Sequence, residues 1–272
     1  MALVIVLAPY PLAPCTTALD AQTPDSAATH HGTPLFTKGD ALLGGLFIAG
    51  TVAVMPFDRH IAVDLQRPGV QSNDNLEDAA STFRLLGGPG VLIAGPGLYA
   101  LGRLVHSPRM ADLGLHGTEA VMTASAVGYL IKGLVGRARP YGVADTLPGS
   151  LGFGRGLSGG GTYSSFPSGH SAAAFAAAAV VTSETARWWP HSTWYVAPVM
   201  YGGAALVGLS RVYNNKHWAS DVVAGAAIGT LAGRALVRHQ HAHPGRLERW
   251  LLPTAVVPSG EGGAVVIWSF RN

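Results

Sequence analysis

The 272-residue sequence contains one cysteine, Cys15. That excludes an intrachain disulfide and any metal centre built on several thiolates, so stability must come from packing. Charge is scarce as well. Asp, Glu, Lys and Arg make up 12% of the chain against 48% hydrophobic residues, which leaves little for a wet surface and excludes a disordered, solvated chain. No run of lysine or arginine stands out, and a net charge of +3 is modest, so a basic face for nucleic acid is not expected. The body also lacks alternating β-branched stretches and any repeat at a fixed period. What remains is rich in alanine, leucine and glycine, and its mean hydropathy of +0.28 lies between that of a soluble enzyme and that of a polytopic membrane protein.

Four regions follow. Residues 1–21 read as a signal peptide cut near Ala21 or as an N-terminal tail, because the apolar run and small residues are present but a positive n-region is not. Residues 22–38 are polar and turn-rich, a linker. Residues 39–245 form the main domain, in which apolar blocks at about 41–57, 85–105, 115–135, 168–185, 193–209 and 220–238 alternate with short polar connections. Their composition predicts helices and hence an all-α bundle. Residues 246–272 form a tail whose two β-prone runs, "LLPTAVVP" and "AVVIWSF", flank "SGEGG" and predict a small hairpin. Several blocks meet Glu119, Glu184 or Arg234 before reaching the length of a membrane span, whereas the stretch between Arg187 and Arg211 is free of charge for that length. The glycines and prolines of 85–105 would weaken a water-soluble helix but are common in membrane helices, which favours the membrane.

Against this background three stretches concentrate polar chemistry. "SRVYNNKHWASD" (210–221) holds Arg211, His217 and Asp221; on a helix, His217 and Asp221 would share a face, and the carboxylate could accept from one imidazole nitrogen and leave the other as base or nucleophile. The bland alternative is a structural hydrogen bond near a helix start. "FPSGHSAAAFAAAAVV" (166–181) puts Ser168, Gly169 and His170 where an alanine-rich helix begins, a place whose unpaired N–H groups and dipole suit an anion. Ser168 can serve there simply as N-cap. "KGLVGRARP" ends an apolar block with Lys132, Arg137, Arg139 and Pro140; Lys132 and Arg139, two helical turns apart, would project from one side, with Pro140 stopping the helix. Cations on an apolar helix are costly without an anion to meet. Together these groups are the inventory for phosphoryl transfer through a covalent phosphohistidine: cations and fixed donors hold the phosphoryl oxygens, one histidine attacks and the other protonates the leaving oxygen. No metal is required by that scheme.

The three stretches resemble, in order and spacing, the three motifs of the type 2 phosphatidic acid phosphatase superfamily, which includes lipid phosphate phosphatases, bacterial acid phosphatases and vanadium-dependent haloperoxidases. The resemblance implies that Lys132, Arg139 and Arg211 bind phosphate with Ser168 and Gly169 adding hydrogen bonds, that His170 is the general acid, that His217 is the nucleophile and that Asp221 orients it. It also implies a bundle of about six helices with the active site at one end and, in membrane members, at the extracytoplasmic face. Arg234, Arg238, Arg246 and Arg249 would then lie on the cytoplasmic side, as the positive-inside rule prefers. A cleaved signal peptide followed by six spans would invert the site, so either the N-terminus is uncleaved, or a block does not span, or the body is soluble and periplasmic.

The expected activity is that of a metal-independent phosphatase of the cell envelope acting on a phosphomonoester or diphosphate, with a lipid phosphate or prenyl diphosphate as substrate. A vanadate-dependent haloperoxidase, a soluble periplasmic acid phosphatase and a catalytically silent membrane or binding protein are the alternatives. No cofactor is expected; vanadate would act as an inhibitor or, in the haloperoxidase reading, as the prosthetic group. A membrane is an expected partner, whereas nucleic acid is not and no protein partner is evident. "GRGLSG" (154–159) satisfies G-x-G-x-x-G but lacks the strand and helix of a dinucleotide site, and reads as a flexible loop. His239, His241 and His243 could form a metal-binding tract but read more simply as a solvated tail.

Overall fold

The computed structural model of the chain describes residues 34–142, 149–157, 161–243, 255–259 and 263–267. The signal-peptide reading of 1–21 and most of the linker lie outside the described residues. Helix α1, Lys38–Val54, starts at a capping box: Thr37 Oγ1 accepts the Asp40 amide at 3.2 Å, and the Asp40 carboxylate accepts the Thr37 amide at 2.9 Å. After it come the short helices α2, Asp58–Leu65, and α3, Pro68–Gln71. Helix α4, Asp74–Leu85, is capped by the Asn73 side chain and runs through a π turn, Leu86–Gly90, into α5, Val91–Leu104. Pro89 lies inside that turn, where its missing N–H disturbs the α ladder least. The remaining helices are α6, Pro108–Val135; α7, Gly169–Trp188; α8, Thr193–Tyr213; and α9, Ala219–Ala242. All six apolar blocks are helical. The expected hairpin is also present: β1, Ala255–Ser259, pairs antiparallel with β2, Gly263–Ile267, Val257 opposite Val265.

Pro34–His239 forms one compact unit, and its interior is made of small residues. Ala120, Ala124, Ala172, Ala176 and Val180 are buried in one cluster shared by α6 and α7. The seam between α7 and α9 shows why. A Cβ on Gly225 would stand 2.4 Å from the Ser168 carbonyl, one on Gly229 2.2 Å from that of Ala172, and one on Gly233 2.7 Å from that of Ala176. These glycines recur every fourth residue, so one bare stripe of α9 lies against the α7 backbone, the small-residue packing of helices that have no hydrophobic drive to associate. The large apolar residues face outward instead: Ile48, Ile93, Leu134 and Val199 are each about 70% exposed. Among the described residues three segments, Lys38–Leu65, Asp74–Leu104 and Ala219–Ala242, are long and apolar enough to cross a membrane. Glu184, which interrupts a block in sequence, is fully buried and its Oε1 lies 2.7 Å from His116 Nδ1.

Alternating helix direction gathers the motifs. The end of α6, the start of α7, the end of α8 and the start of α9 carry Lys132, His170, Arg211 and Asp221 respectively.

Candidate active site

Helix α6 stops earlier than the spacing of its cations predicts. Gly136 caps it at φ +57°, in the left-handed region, and a Cβ there would stand 1.9 Å from the Gly152 carbonyl, so only glycine fits. Lys132 is therefore helical while Arg139 lies beyond the cap, and the two do not project from one helical face. They meet by another route: Lys132 Nζ donates to the Ser164 and Pro167 carbonyls, and Arg139 Nη2 donates to Ser164 Oγ at 3.0 Å. The segment 164–168 is thus held between both cations.

Ser168 is the N-cap of α7, its buried Oγ accepting the Ser171 hydroxyl at 2.8 Å, so capping is its observed work. Gly169 and His170 open the helix, where first-turn amides have no intrahelical acceptor. His170 is half-buried beside Gly88 of the π turn, where a Cβ would stand 2.9 Å from His170 Nε2. Arg84, exposed in the last turn of α4, is near enough for its charge to act on both His170 and Arg211.

Arg211 is 6% exposed, yet its Nε and Nη1 have no hydrogen-bond acceptor, and the buried Nε of Arg139 has none either. Orphaned donors on buried cations are expensive, which makes them the strongest mark of an anion site here.

His217 lies in the loop before α9, 3% exposed. Its Nδ1 stands 2.7 Å from the Ser165 carbonyl. A carbonyl can only accept, so Nδ1 carries the proton and Nε2 holds the lone pair. Burial pushes the imidazole down to about 4, outweighing the opposite pull of Asp221, while Lys132 and Arg139 push the same way. His217 is thus neutral through the physiological range.

The sequence predicts a direct hydrogen bond from His217 to Asp221, and the geometry differs. Asp221 is in the first turn of α9 but His217 precedes the helix, and Nδ1 to Oδ2 is 3.7 Å, too long for a hydrogen bond. Asp221 instead accepts Arg137 Nη1 at 2.6 Å, the Trp218 amide at 2.9 Å and the Ser165 hydroxyl. It holds the residue that holds His217.

With this geometry in place, residues 115–244 match the PAP2 superfamily in sequence. Over 127 residues the chain is 38% identical to the lipid A 1-phosphatase of Porphyromonas gingivalis, covering 46% of this chain and 27% of that protein. The chain thus spans about a quarter of that relative's length. The fold is similar to that of a transmembrane PAP2-type phosphatidylglycerolphosphate phosphatase from Bacillus subtilis, with a TM-score of 0.51 and 23% identity over 75% of this chain and 96% of that one.

Every sequence-predicted site residue lies inside the PAP2 segment, and the structure gathers all of them at one end of the bundle. Sequence reasoning missed Asp58, Ser165 and Ser220, and left Arg137 without a role. The signal for Asp58 was present: a lone acid directly after an apolar block, in a chain with few charges. Ser165 acts through its main chain as well as its hydroxyl and carried no signal. Among the three histidines after Arg238, His239 and His241 lie in the last turns of α9, not in a solvated tail.

Proposed function

We propose that the protein is an integral membrane phosphatase that removes phosphate from a phosphorylated lipid through a phosphohistidine on His217. The observation that carries the reading is the pair of guanidinium groups of Arg139, half-buried, and Arg211, buried, whose buried orphaned donors stand at the site of a neutral histidine. His217 Nε2 attacks phosphorus and forms the N–P bond as the bond to the lipid oxygen breaks. His170 gives its proton to that oxygen, then, as a neutral base, takes one from the water that attacks the phosphohistidine, releasing inorganic phosphate and restoring His217. Lys132, Arg139, Arg211 and the first-turn amides of α7 meet the charge on the transferring oxygens. The substrate's own negative charge favours the protonated form of His170 on binding.

A lipid substrate is supported by the names of both relatives, a lipid A 1-phosphatase and a phosphatidylglycerolphosphate phosphatase, and by a surface that turns large apolar side chains outward. Membrane insertion is supported by the three apolar segments and the small-residue seam. Arg234 and Arg238 lie at the end of α9 remote from the site, so the positive-inside rule favours an extracytoplasmic active site.

The test is phosphate release by purified protein with excess chelator, on phosphatidic acid, a prenyl diphosphate and a soluble ester. Release from a lipid substrate that survives chelation and is lost in His217→Ala is the expected result. Release that chelation abolishes, or that His217→Ala retains, overturns the mechanism; preference for the soluble ester overturns the substrate class.

A further inference from the structure

Behind His217 lies a buried polar chain that the phosphoryl-transfer steps do not use. It begins outside the PAP2 segment, at Asp58, the first residue of α2, which is fully buried. Asp58 Oδ2 accepts Arg137 Nη2 at 2.8 Å and the Ser220 hydroxyl, and Oδ1 accepts the Ser220 amide at 2.9 Å. Arg137, 4% exposed, turns its other nitrogen, Nη1, to Asp221 Oδ1 at 2.6 Å and to Ser220 Oγ at 2.7 Å. Trp218 covers the guanidinium with its ring, 5.5 Å from centroid to Cζ, and fixes itself by donating Nε1 to the Ala138 carbonyl at 2.8 Å. Asp221 Oδ2 then accepts the hydroxyl of Ser165, whose carbonyl takes the proton-bearing Nδ1 of His217.

Such a network is a poor way to gain stability. Burying two carboxylates and one guanidinium costs desolvation that a well-packed apolar cluster would avoid. What it provides is geometry. A planar fork engaged on both nitrogens cannot rotate, and the carboxylates on either side are fixed relative to each other. Released from Asp58, Arg137 could turn about its last bonds, and Asp221, Ser165 and the imidazole would lose their common reference.

We propose that Asp58 and Arg137 are positioning residues for the nucleophile: α2 supplies the carboxylate that clamps the Arg137 fork, which through Asp221 and Ser165 holds the His217 ring with Nε2 turned to phosphorus. This inference rests on the reading of His217 as nucleophile and extends it to a helix outside the PAP2 segment.

The test compares kcat and KM on a lipid phosphate for wild type, His217→Ala, Asp58→Asn, Asp221→Asn and the Asp58→Asn/Asp221→Asn pair, with a thermal melt of each. Asp58→Asn keeps the shape and an acceptor for Ser220 but loses the charge that holds Arg137. It is expected to lower kcat by about tenfold or more, the range seen when groups behind a reacting centre are removed, with KM within about twofold. Because Asp58 acts through Asp221, the same change in the Asp221→Asn background is expected to cost less than about twofold. An unchanged kcat, a loss confined to KM, or an equal loss in both backgrounds overturns the proposal. If Asp58→Asn does not fold, Arg137→Lys, which keeps the charge but not the fork, is read by the same criteria. Failure of both to fold assigns the network to stability and overturns the proposal. Turnover retained in His217→Ala overturns the underlying reading; turnover lost there but untouched in Asp58→Asn overturns the clamp alone.

Discussion

Arg137 and Arg139 are two residues apart in the chain and live in opposite surroundings. Arg137 is engaged by two carboxylates, a serine hydroxyl and a tryptophan ring. Arg139 donates to one serine hydroxyl, lies over the Tyr141 ring, and leaves its buried Nε without an acceptor, as Arg211 leaves two of its nitrogens. One side of His217 is therefore a saturated scaffold and the other a set of cations with their donors unmet. A saturated network holds position because every group in it would lose a partner by moving. In the proposed reaction an unmet cation binds, because an arriving phosphoryl group supplies what the protein withholds. The two sides should respond differently to substitution, in kind as well as in size.

The largest effect is expected on the unmet side. Arg211→Ala removes donors that, in the proposed reaction, meet the transferring oxygens, and should lower kcat/KM by about 10²–10³-fold, the range for losing one preorganised donor to a transition state. It should also weaken competitive inhibition by orthovanadate, while the melting temperature holds or rises because an unpaired buried cation is gone. Steady-state kinetics and a thermal melt check this; a stability loss with unchanged affinity for vanadate would place Arg211 with the scaffold and erase the contrast.

A second, intermediate effect concerns pH. The folded-state value of His217 is lowered to about 4, so its neutral, nucleophilic form persists as pH falls below the ordinary histidine range and is lost only on approach to about 4. The acid limb of kcat/KM that belongs to the nucleophile should accordingly lie near pH 4, and a nucleophile limb centred near the unperturbed value of about 6.5 would contradict the burial argument.

The smallest effect on chemistry should come from the seam between α7 and α9. Gly229→Val puts a Cβ 2.2 Å from the Ala172 carbonyl and forces α7 and α9 apart. A cost of about 1–3 kcal/mol in stability is expected, read as a lower melting temperature in detergent, with KM little changed in the protein that remains folded. A variant as stable as wild type would mean that the seam is not tightly packed.

Much of the molecule was legible in the sequence, for reasons that also explain what was not. Six of the nine described α-helices announced themselves because their apolar blocks are long and their breaks polar, whereas α2, α3 and α4 did not; the hairpin did because β-prone runs flank a glycine turn. The site residues were legible because charge is rare in this chain, so Lys132, Arg139, Arg211, His217 and Asp221 stood out. Three features were hidden. The left-handed cap at Gly136 broke the helical spacing assumed for Lys132 and Arg139, and a glycine among many glycines does not declare its φ. The partner of His217 Nδ1 is a backbone carbonyl, which no side-chain pattern encodes. Asp58 is far from Asp221 in sequence, and only the fold brings its short helix to the end of the bundle that holds His217.

The central claim is that a covalent phosphate passes through His217. Rapid quenching of the purified protein with a phosphorylated lipid, followed by peptide mass spectrometry under alkaline conditions that preserve phosphohistidine, tests it most directly. The account predicts an acid-labile phosphate on His217 that appears in the first turnover, builds up further in His170→Ala because its hydrolysis lacks a base, and is absent from His217→Ala. Full turnover with no phosphate on His217 at any quench time, or with the phosphate on another residue, would contradict it.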